Sequence, residues 1–177
     1  MDILEDQMIK KPDGTVVEWH VYLKNVKIFI FFFSASCVKN AEELIRLLKE
    51  LYAENLKKNI GMEIIYVSAD TTLESYEEGI AEQGPWCAIP FENDISVELR
   101  YRYDVTSMPQ LVVVKKDGTI ISAKVNNNSS QTPPYVSVVK STPKSYFPNK
   151  NQAIVMHAAE NLKLFDYVNA ADDAVGP

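Results

Sequence analysis

Cysteine and histidine are scarce in this sequence, with two residues of each among 177. Two cysteines exclude a small secreted scaffold held together by several disulfides. A zinc site with four Cys or His ligands would need all four of these residues, and their spacing matches no zinc-binding pattern: His20, Cys37, Cys87 and His157. We therefore expect no metal and no cofactor.

Positive charge and long apolar runs are also lacking. Eighteen Lys and Arg face 24 Asp and Glu, which gives a net charge of −6. Binding to nucleic acid or to an anionic membrane needs clustered positive charge, so we expect neither partner. The most apolar run, Ile28 to Phe33, is far shorter than the about 20 residues that span a bilayer. The first ten residues contain no signal-peptide pattern, and a cytoplasmic protein is expected.

The apolar pattern predicts alternating strands and helices. Asp-Gly pairs between short apolar runs indicate two hairpins, and a stripe of apolar residues every three or four positions indicates a long helix. The predicted elements are a hairpin at 8–17, a strand at 27–33, a helix at 40–58, a strand at 62–67, a helix at 73–81, a short helix at 97–101, and hairpin strands at 111–114 and 119–123. This order predicts an α/β fold, in which helices flank a mixed central sheet that carries an N-terminal β-hairpin.

The C-terminal third has a different composition. Residues 126–148 are rich in Asn, Ser and Pro, which is typical of a long loop or insertion. Helical spacing returns after it, so residues 149–177 are expected to form a helix and a tail packed on the core. The predicted organisation is a core at 1–125, the insertion and this terminal helix. An alternative role for the extension is self-association into a homodimer.

Three segments are expected to meet at one site. Residues 33–37 follow a buried parallel strand, which is where ligands collect in open α/β sheets. The turn at 84–86 and the loop at 107–109 are expected beside them, since Pro109 suits the first position of a strand. Asp70, at another strand end, is interpreted as a solvated surface charge.

Five motifs, in order, resemble the nucleoredoxin and tryparedoxin branch of the thioredoxin superfamily: Phe33–Ser36, Ile64–Asp70, Gly84–Phe91, Arg102–Pro109 and Leu111–Gly118. The similarity covers roughly residues 1–125 and implies a thioredoxin-like three-layer sandwich. It implies that Pro109 is the cis-proline of the fold, in a loop that presents the Met108 backbone to an extended peptide. It also implies that Trp86 flanks the active-site surface as a contact residue, although Trp86 could equally cover the core.

The chain departs from the family at its defining motif, Trp-Cys-x-x-Cys. Aligned without a gap, Cys37 takes the place of the Trp, Val38 that of the nucleophilic Cys, and Ala41 that of the resolving Cys. Disulfide exchange needs one thiolate to attack and a second to release the mixed disulfide. We therefore expect a non-catalytic protein-interaction or regulatory module. It would bind a protein or peptide at the former active-site face, through Val38, Lys39, Asn40, Trp86, Met108 and Pro109.

An alternative function is redox chemistry through a single thiol. Cys37 precedes a helix and lies two residues from Lys39, and both features favour a thiolate. A one-residue gap in the alignment would place Cys37 on the nucleophile, as the catalytic residue of a monothiol redox protein. A capping box from Asn40 to Glu43 would weaken this case, because it would start the helix three residues after Cys37. Cys87 is interpreted as a small buried hydrophobe, or as a disulfide partner of Cys37 if their Cα atoms lie within about 7 Å.

Overall fold

A computed structural model describes residues 4–39 and 41–122. The chain begins with the predicted hairpin, whose strands β1 (Met8–Lys10) and β2 (Val16–Glu18) pair antiparallel. Gly14 has a φ of +83°, a conformation that glycine adopts at little cost, and the Asp13 carboxylate accepts hydrogen bonds from the backbone and the hydroxyl of Thr15. The predicted insertion at 126–148 and the predicted terminal helix at 149–177 lie outside the described residues.

A parallel strand–helix–strand unit forms the centre of the fold. Strand β3 (Ile28–Ser34) leads into helix α2 (Glu42–Lys58), which returns the chain to strand β4 (Met62–Ser68). Every residue of both strands is buried, which explains why neither strand shows polar alternation in the sequence. Asn55 joins helix to strand, because its side-chain amide bonds both the N–H and the carbonyl of Met62, at 3.1 and 2.8 Å.

The remaining elements extend this sheet on both sides. The described part of the chain adds helices α1 (Trp19–Tyr22), α3 (Leu73–Glu82) and α4 (Ile95–Arg102), and strands β5 (Cys87–Ala88), β6 (Gln110–Lys115) and β7 (Ile120–Ser122). The sheet order is β2-β1-β5-β4-β3-β6-β7, with β6 antiparallel to β3. The predicted mixed sheet is confirmed; α1 and β5 were not predicted, and α4 is longer than predicted.

Two apolar layers cover the two faces of the sheet. Alternate side chains of β3 belong to opposite layers, so that Phe32 packs with the residues of α2 and Phe31 packs with Trp19 and Tyr103. Ile80 of α3 also lies against the α2 layer, whereas the opposite layer includes residues of α1 and α4. The three-layer sandwich expected from the sequence is therefore present.

Candidate functional site

The ends of two parallel strands and the start of an antiparallel one meet at a single edge of the sheet. Ser34, the last residue of β3, pairs with Ser68, the last residue of β4, and Phe33 pairs with Gln110, the first residue of β6. This register brings the loop after β3 beside Pro109, which precedes Gln110. Two of the three segments predicted to converge are thus neighbours.

The loop after β3 is a tight turn with an exposed thiol. The backbone N–H of Val38 donates to the carbonyl of Ala35 at 3.0 Å, and that of Ala41 donates to the carbonyl of Val38 at 3.4 Å. Cys37 and Lys39 are exposed, whereas Val38 is half-buried and packs against the α2 layer. The loop therefore offers one accessible sulfur and an alkyl side chain that faces the core.

Helix α2 begins later than predicted. Its first residue is Glu42 and its N-cap is Ala41, which has no side-chain acceptor for the free N–H groups of the first turn. The helix therefore starts two residues after the predicted position of about Asn40. The predicted capping box depends on the Asn40 side chain, and Asn40 lies outside the described residues. Cys37 precedes the helix by five positions, where the helix dipole is weak.

Asp70 holds the loop after β3 in place. Its carboxylate accepts hydrogen bonds from the Ser36 N–H at 3.0 Å, the Ser36 hydroxyl at 2.8 Å and the Ser68 hydroxyl at 2.7 Å. The backbone also continues the pairing, since the Ala69 N–H donates to the carbonyl of Ser34 at 2.9 Å. The interpretation of Asp70 as a solvated charge is wrong. The signal in the sequence was a Ser-x-Asp spacing at a strand end, a pattern typical of side chains that bond nearby backbone.

The loop before β6 forms the other half of the site. The Met108–Pro109 peptide bond is cis, as predicted. Pro109 is buried, Met108 is half-buried, and the two residues before them, Thr106 and Ser107, are exposed. Gln110, the residue after Pro109, was not predicted as a site residue. It is 1% exposed, and its amide nitrogen has no hydrogen-bond partner within the described ranges.

Trp86 does not join this edge. Cys87 pairs with Ile65, so Trp86 lies level with Ile64, four residues before the end of β4 and about 13 Å from it along the strand. The indole is 4% exposed and packs in a T-shaped arrangement on Tyr52, with ring centroids 5.9 Å apart. The predicted convergence of the 84–86 turn with the other two segments is wrong, because it assumed that this turn lay level with the strand ends.

The two cysteines are chemically distinct. Both are free, so the disulfide considered from the sequence is not formed. Cys87 is 1% exposed within the layer opposite α2, which confirms its interpretation as a small buried hydrophobe. Burial, with a smaller contribution from the Glu63 charge, raises the pKa of the Cys87 thiol to about 12. At neutral pH Cys87 is therefore a thiol, and Cys37 is the accessible sulfur.

A family model described as Thioredoxin-like matches residues 25–120, which include the strands and loops of this edge. The chain belongs to the thioredoxin-like family. Mouse nucleoredoxin is 32% identical over 92 residues, which are 51% of this chain and 21% of that protein. Human nucleoredoxin-like protein 1 is 24% identical over 102 residues, 54% of this chain and 48% of the relative. The match thus spans about a fifth of nucleoredoxin and about half of the nucleoredoxin-like protein.

Solved structures support the same family. Thioredoxin from Wuchereria bancrofti superposes with a TM-score of 0.64 at 30% identity, covering 76% of this chain and 93% of that one. Tryparedoxin I from Leishmania major gives 0.60 at 26% identity, covering 69% and 83%. A thioredoxin-related protein from Carcinoscorpius rotundicauda gives 0.56 at 31% identity, covering 68% and 85%. The resemblance to the nucleoredoxin and tryparedoxin branch is confirmed.

Within the described part of this thioredoxin-like chain, no helix is both long and apolar enough to cross a bilayer. At the edge formed by the loops 35–39 and 106–109, one loop carries an exposed thiol and the other carries a buried proline and a half-buried methionine. This arrangement supplies backbone groups and apolar contacts that could hold an extended chain, together with one sulfur that could form a single covalent bond.

Proposed function

We propose that this domain is a non-catalytic protein-interaction or regulatory module that uses the former active-site face of the fold. The face consists of Cys37, Val38, Lys39, Met108 and Pro109, and we name it the Cys37 face. The observation that carries the proposal is the number of cysteine thiols there: the turn before α2 supplies one, and disulfide exchange needs two.

In the alignment without a gap, hydrocarbon side chains, those of Val38 and Ala41, occupy the positions of the two family cysteines. The hydrogen bond from the Ala41 N–H to the Val38 carbonyl closes a turn, so the Cα atoms of these two residues lie within the about 7 Å that a disulfide requires. The geometry suits a redox pair, but neither residue can attack or resolve a disulfide. Cys87 does not replace them, since it is buried and belongs to a strand position three residues before the end of β4.

Two observations support a binding role. Thr106 and Ser107 are exposed next to half-buried Met108, in the loop that the family resemblance associates with an extended peptide. The related protein from Carcinoscorpius rotundicauda is described as having a role in regulating the activity of the transcription factor NF-κB. A domain of this fold with a single accessible sulfur would suit regulation by binding.

The test is to compare the protein with a variant in which the motif is rebuilt. Insulin-disulfide reduction by dithiothreitol would be measured for the wild type, for Cys37→Ser, and for the triple variant Cys37→Trp, Val38→Cys, Ala41→Cys. We expect the wild type and Cys37→Ser to match the rate without protein, and the triple variant to accelerate it. Turnover by the wild type that Cys37→Ser abolishes would overturn the proposal.

The second candidate function is a monothiol redox role, favoured by the exposure of Cys37. In this reaction the Cys37 thiolate attacks glutathione disulfide, one new S–S bond forms, and one glutathione thiolate leaves. Alkylation of Cys37 measured against pH tests the idea. A thiol pKa at or above the ordinary value of about 8.5 removes its basis, and a pKa below about 7 together with rapid glutathionylation supports it.

A further inference from the structure

Lysines are concentrated at the edge of the sheet opposite the Cys37 face. Ile28, the first residue of β3, pairs with Met62 at the start of β4 and with Lys115 at the end of β6. The loop before β3, the end of α2 and the turn after β6 therefore meet at one edge of the sheet. We call this the lysine edge, and its lysines, five exposed and one half-buried, are Lys24, Lys27, Lys57, Lys58, Lys115 and Lys116.

Hydrogen bonds hold the segments of the lysine edge against one another. The Lys27 N–H donates to the Gly61 carbonyl at 2.7 Å, and the Lys116 N–H donates to the Lys27 carbonyl at 2.9 Å. The Lys116 ammonium also donates to the backbone carbonyl of Lys24. Lysines that are far apart in the sequence are thus fixed within one small area.

The segments that form the lysine edge are strongly positive. Residues 23–27, 54–61 and 115–119 contain six lysines and two acids, Glu54 and Asp117, so they carry a net charge of +4 and leave −10 on the rest of the chain. The expectation of no anionic-membrane partner rested on the net charge of the whole chain. Charges more than about 10 Å from a surface are largely screened by salt, so the local charge decides what this edge attracts.

The two carboxylates leave the lysines accessible. Glu54 lies 3.3 Å from the Lys57 ammonium and 3.5 Å from that of Lys58, in pairs whose side chains are 43–71% exposed. Exposed ion pairs are weak, so these lysines can exchange Glu54 for another anion. The Asp117 carboxylate accepts the N–H of Thr119 at 2.8 Å within its own turn.

The chemistry of the lysine edge favours an anionic lipid surface. All six cations are lysines, whose hydrated ammonium attracts a charged surface without the fixed geometry that arginine gives at a specific phosphate site. Leu56, next to Lys57, is 63% exposed, so an aliphatic side chain accompanies the charges, as at interfacial membrane sites. The three segments contain no aromatic residue on which nucleic-acid bases would stack. We propose that the lysine edge binds the surface of an anionic lipid membrane.

This surface is separate from the Cys37 face. Strand β3 has seven residues, which place its two ends about 20 Å apart. A domain held to a membrane by the lysine edge therefore presents the Cys37 face to the solution, where a protein partner reaches it. Binding to lipid and binding at the Cys37 face do not compete.

Co-sedimentation of the full chain with lipid vesicles tests the proposal. We expect vesicles of phosphatidylcholine with about 30% phosphatidylserine to bind about half of the protein at about 1 mM lipid, because each net positive charge near such a surface raises association about fivefold. Vesicles of phosphatidylcholine alone should bind none. Raising the salt from about 0.1 M to about 0.5 M should release the protein, since salt screens the attraction.

A matched pair of double variants tests which charges are responsible. Lys57→Gln with Lys116→Gln removes two charges from the lysine edge. Arg46→Gln with Lys49→Gln removes two exposed charges from α2, and Lys49 lies about 12 Å along the helix from Lys57, beyond the distance at which salt screens charges. The first variant should weaken binding to the mixed vesicles by at least about tenfold, and the second by less than about twofold.

Three outcomes would overturn the proposal. The first is that the mixed vesicles bind none of the protein at about 1 mM lipid and about 0.1 M salt. The second is that the two double variants weaken the binding equally. The third concerns fluorescently labelled poly(U) RNA, which we expect not to bind at about 10 μM protein. RNA binding that is lost in the Lys57→Gln, Lys116→Gln variant would assign the lysine edge to nucleic acid instead.

Discussion

Glu63 is the buried carboxyl group whose removal we expect to change the pH dependence of stability. It lies on β4, is 8% exposed, and accepts a hydrogen bond from the Tyr52 hydroxyl, with its two oxygens 3.1 and 3.2 Å away. Loss of solvation raises its pKa from the ordinary 4.5 to about 7, although the hydrogen bond from Tyr52 acts in the opposite direction. The folded protein therefore keeps a proton on Glu63 that the unfolded chain has already released.

The sign of the effect follows from this difference in proton binding. Between pH 4.5 and about 7 the unfolded chain loses the Glu63 proton first, so the free energy of unfolding falls as the pH rises. The stability linked to Glu63 is complete below the unfolded pKa and is lost once the pH exceeds the folded pKa. The separation of the two values corresponds to about 3 kcal/mol, at about 1.4 kcal/mol for each pH unit.

The substitution Glu63→Gln removes this loss, because glutamine has nearly the same size and carries no charge. Urea unfolding followed by tryptophan fluorescence would give the free energy of unfolding from pH 5.5 to 8.5. This range avoids the low net charge of the protein near its pI of about 5.0. It includes about 2 of the 3 kcal/mol of stability that is linked to the ionisation of Glu63. We expect the stability of Glu63→Gln relative to the wild type to rise by that amount across the range.

Two comparisons make the measurement specific to Glu63. Glu78→Gln replaces an exposed carboxylate on α3, and its stability relative to the wild type should stay constant with pH. Tyr52→Phe removes the hydroxyl that lowers the Glu63 pKa, so the fall in stability should move to higher pH. A difference between Glu63→Gln and the wild type that is flat from pH 5.5 to 8.5 would refute the reasoning.

Three further predictions concern single contacts. Asp70→Ala should destabilise the protein by about 2–3 kcal/mol and speed amide hydrogen exchange at Ser36, because three donors lose their common acceptor. Exchange at Ser36 as slow as in the wild type would contradict this. Asn55→Ala should lower the free energy of unfolding in urea by about 2–3 kcal/mol, since the N–H and the carbonyl of Met62 both lose their partner in the core. A decrease below about 0.5 kcal/mol would contradict this. An alkylating reagent at neutral pH should modify Cys37 in the native state and reach Cys87 only on unfolding, as mass spectrometry of the peptides would show; equal native labelling would contradict the burial of Cys87.

The sequence predicted those parts of the fold that have a strong period or a specific turn residue. Buried runs gave β3 and β4, the apolar stripe gave α2, and the Asp-Gly pairs gave both hairpins. Strand β5 has two residues and therefore no period. It exists because Cys87 and Ala88 pair with β4 and Ala88 pairs with Lys10 of β1, a relation between distant segments that the sequence does not contain.

The same reason explains why the candidate site was only partly predicted. The position of Pro109 beside the loop after β3 follows from strand order, which a family resemblance supplies. The distance of Trp86 from that edge depends on register along β4, and a slip of four residues moves a side chain by about 13 Å. The Ser-x-Asp spacing signals the local contact between Asp70 and Ser68, but the sequence does not show that the loop at Ser36, 34 residues away, supplies the other donors.

The contacts that hold the turn before α2 need no sulfur atom. Asp70 accepts from Ser36, the backbone closes the turn between Val38 and Ala41, and the Val38 side chain packs against the α2 layer. The two hydrogen bonds do not use the side chains at positions 38 and 41, so substitutions there leave these bonds in place and alter only the packing of the two side chains. For this reason rebuilding the cysteine motif is a fair test: the triple variant should keep the wild-type fold, and any reductase activity it gains would come from the added thiols and not from a rearranged loop.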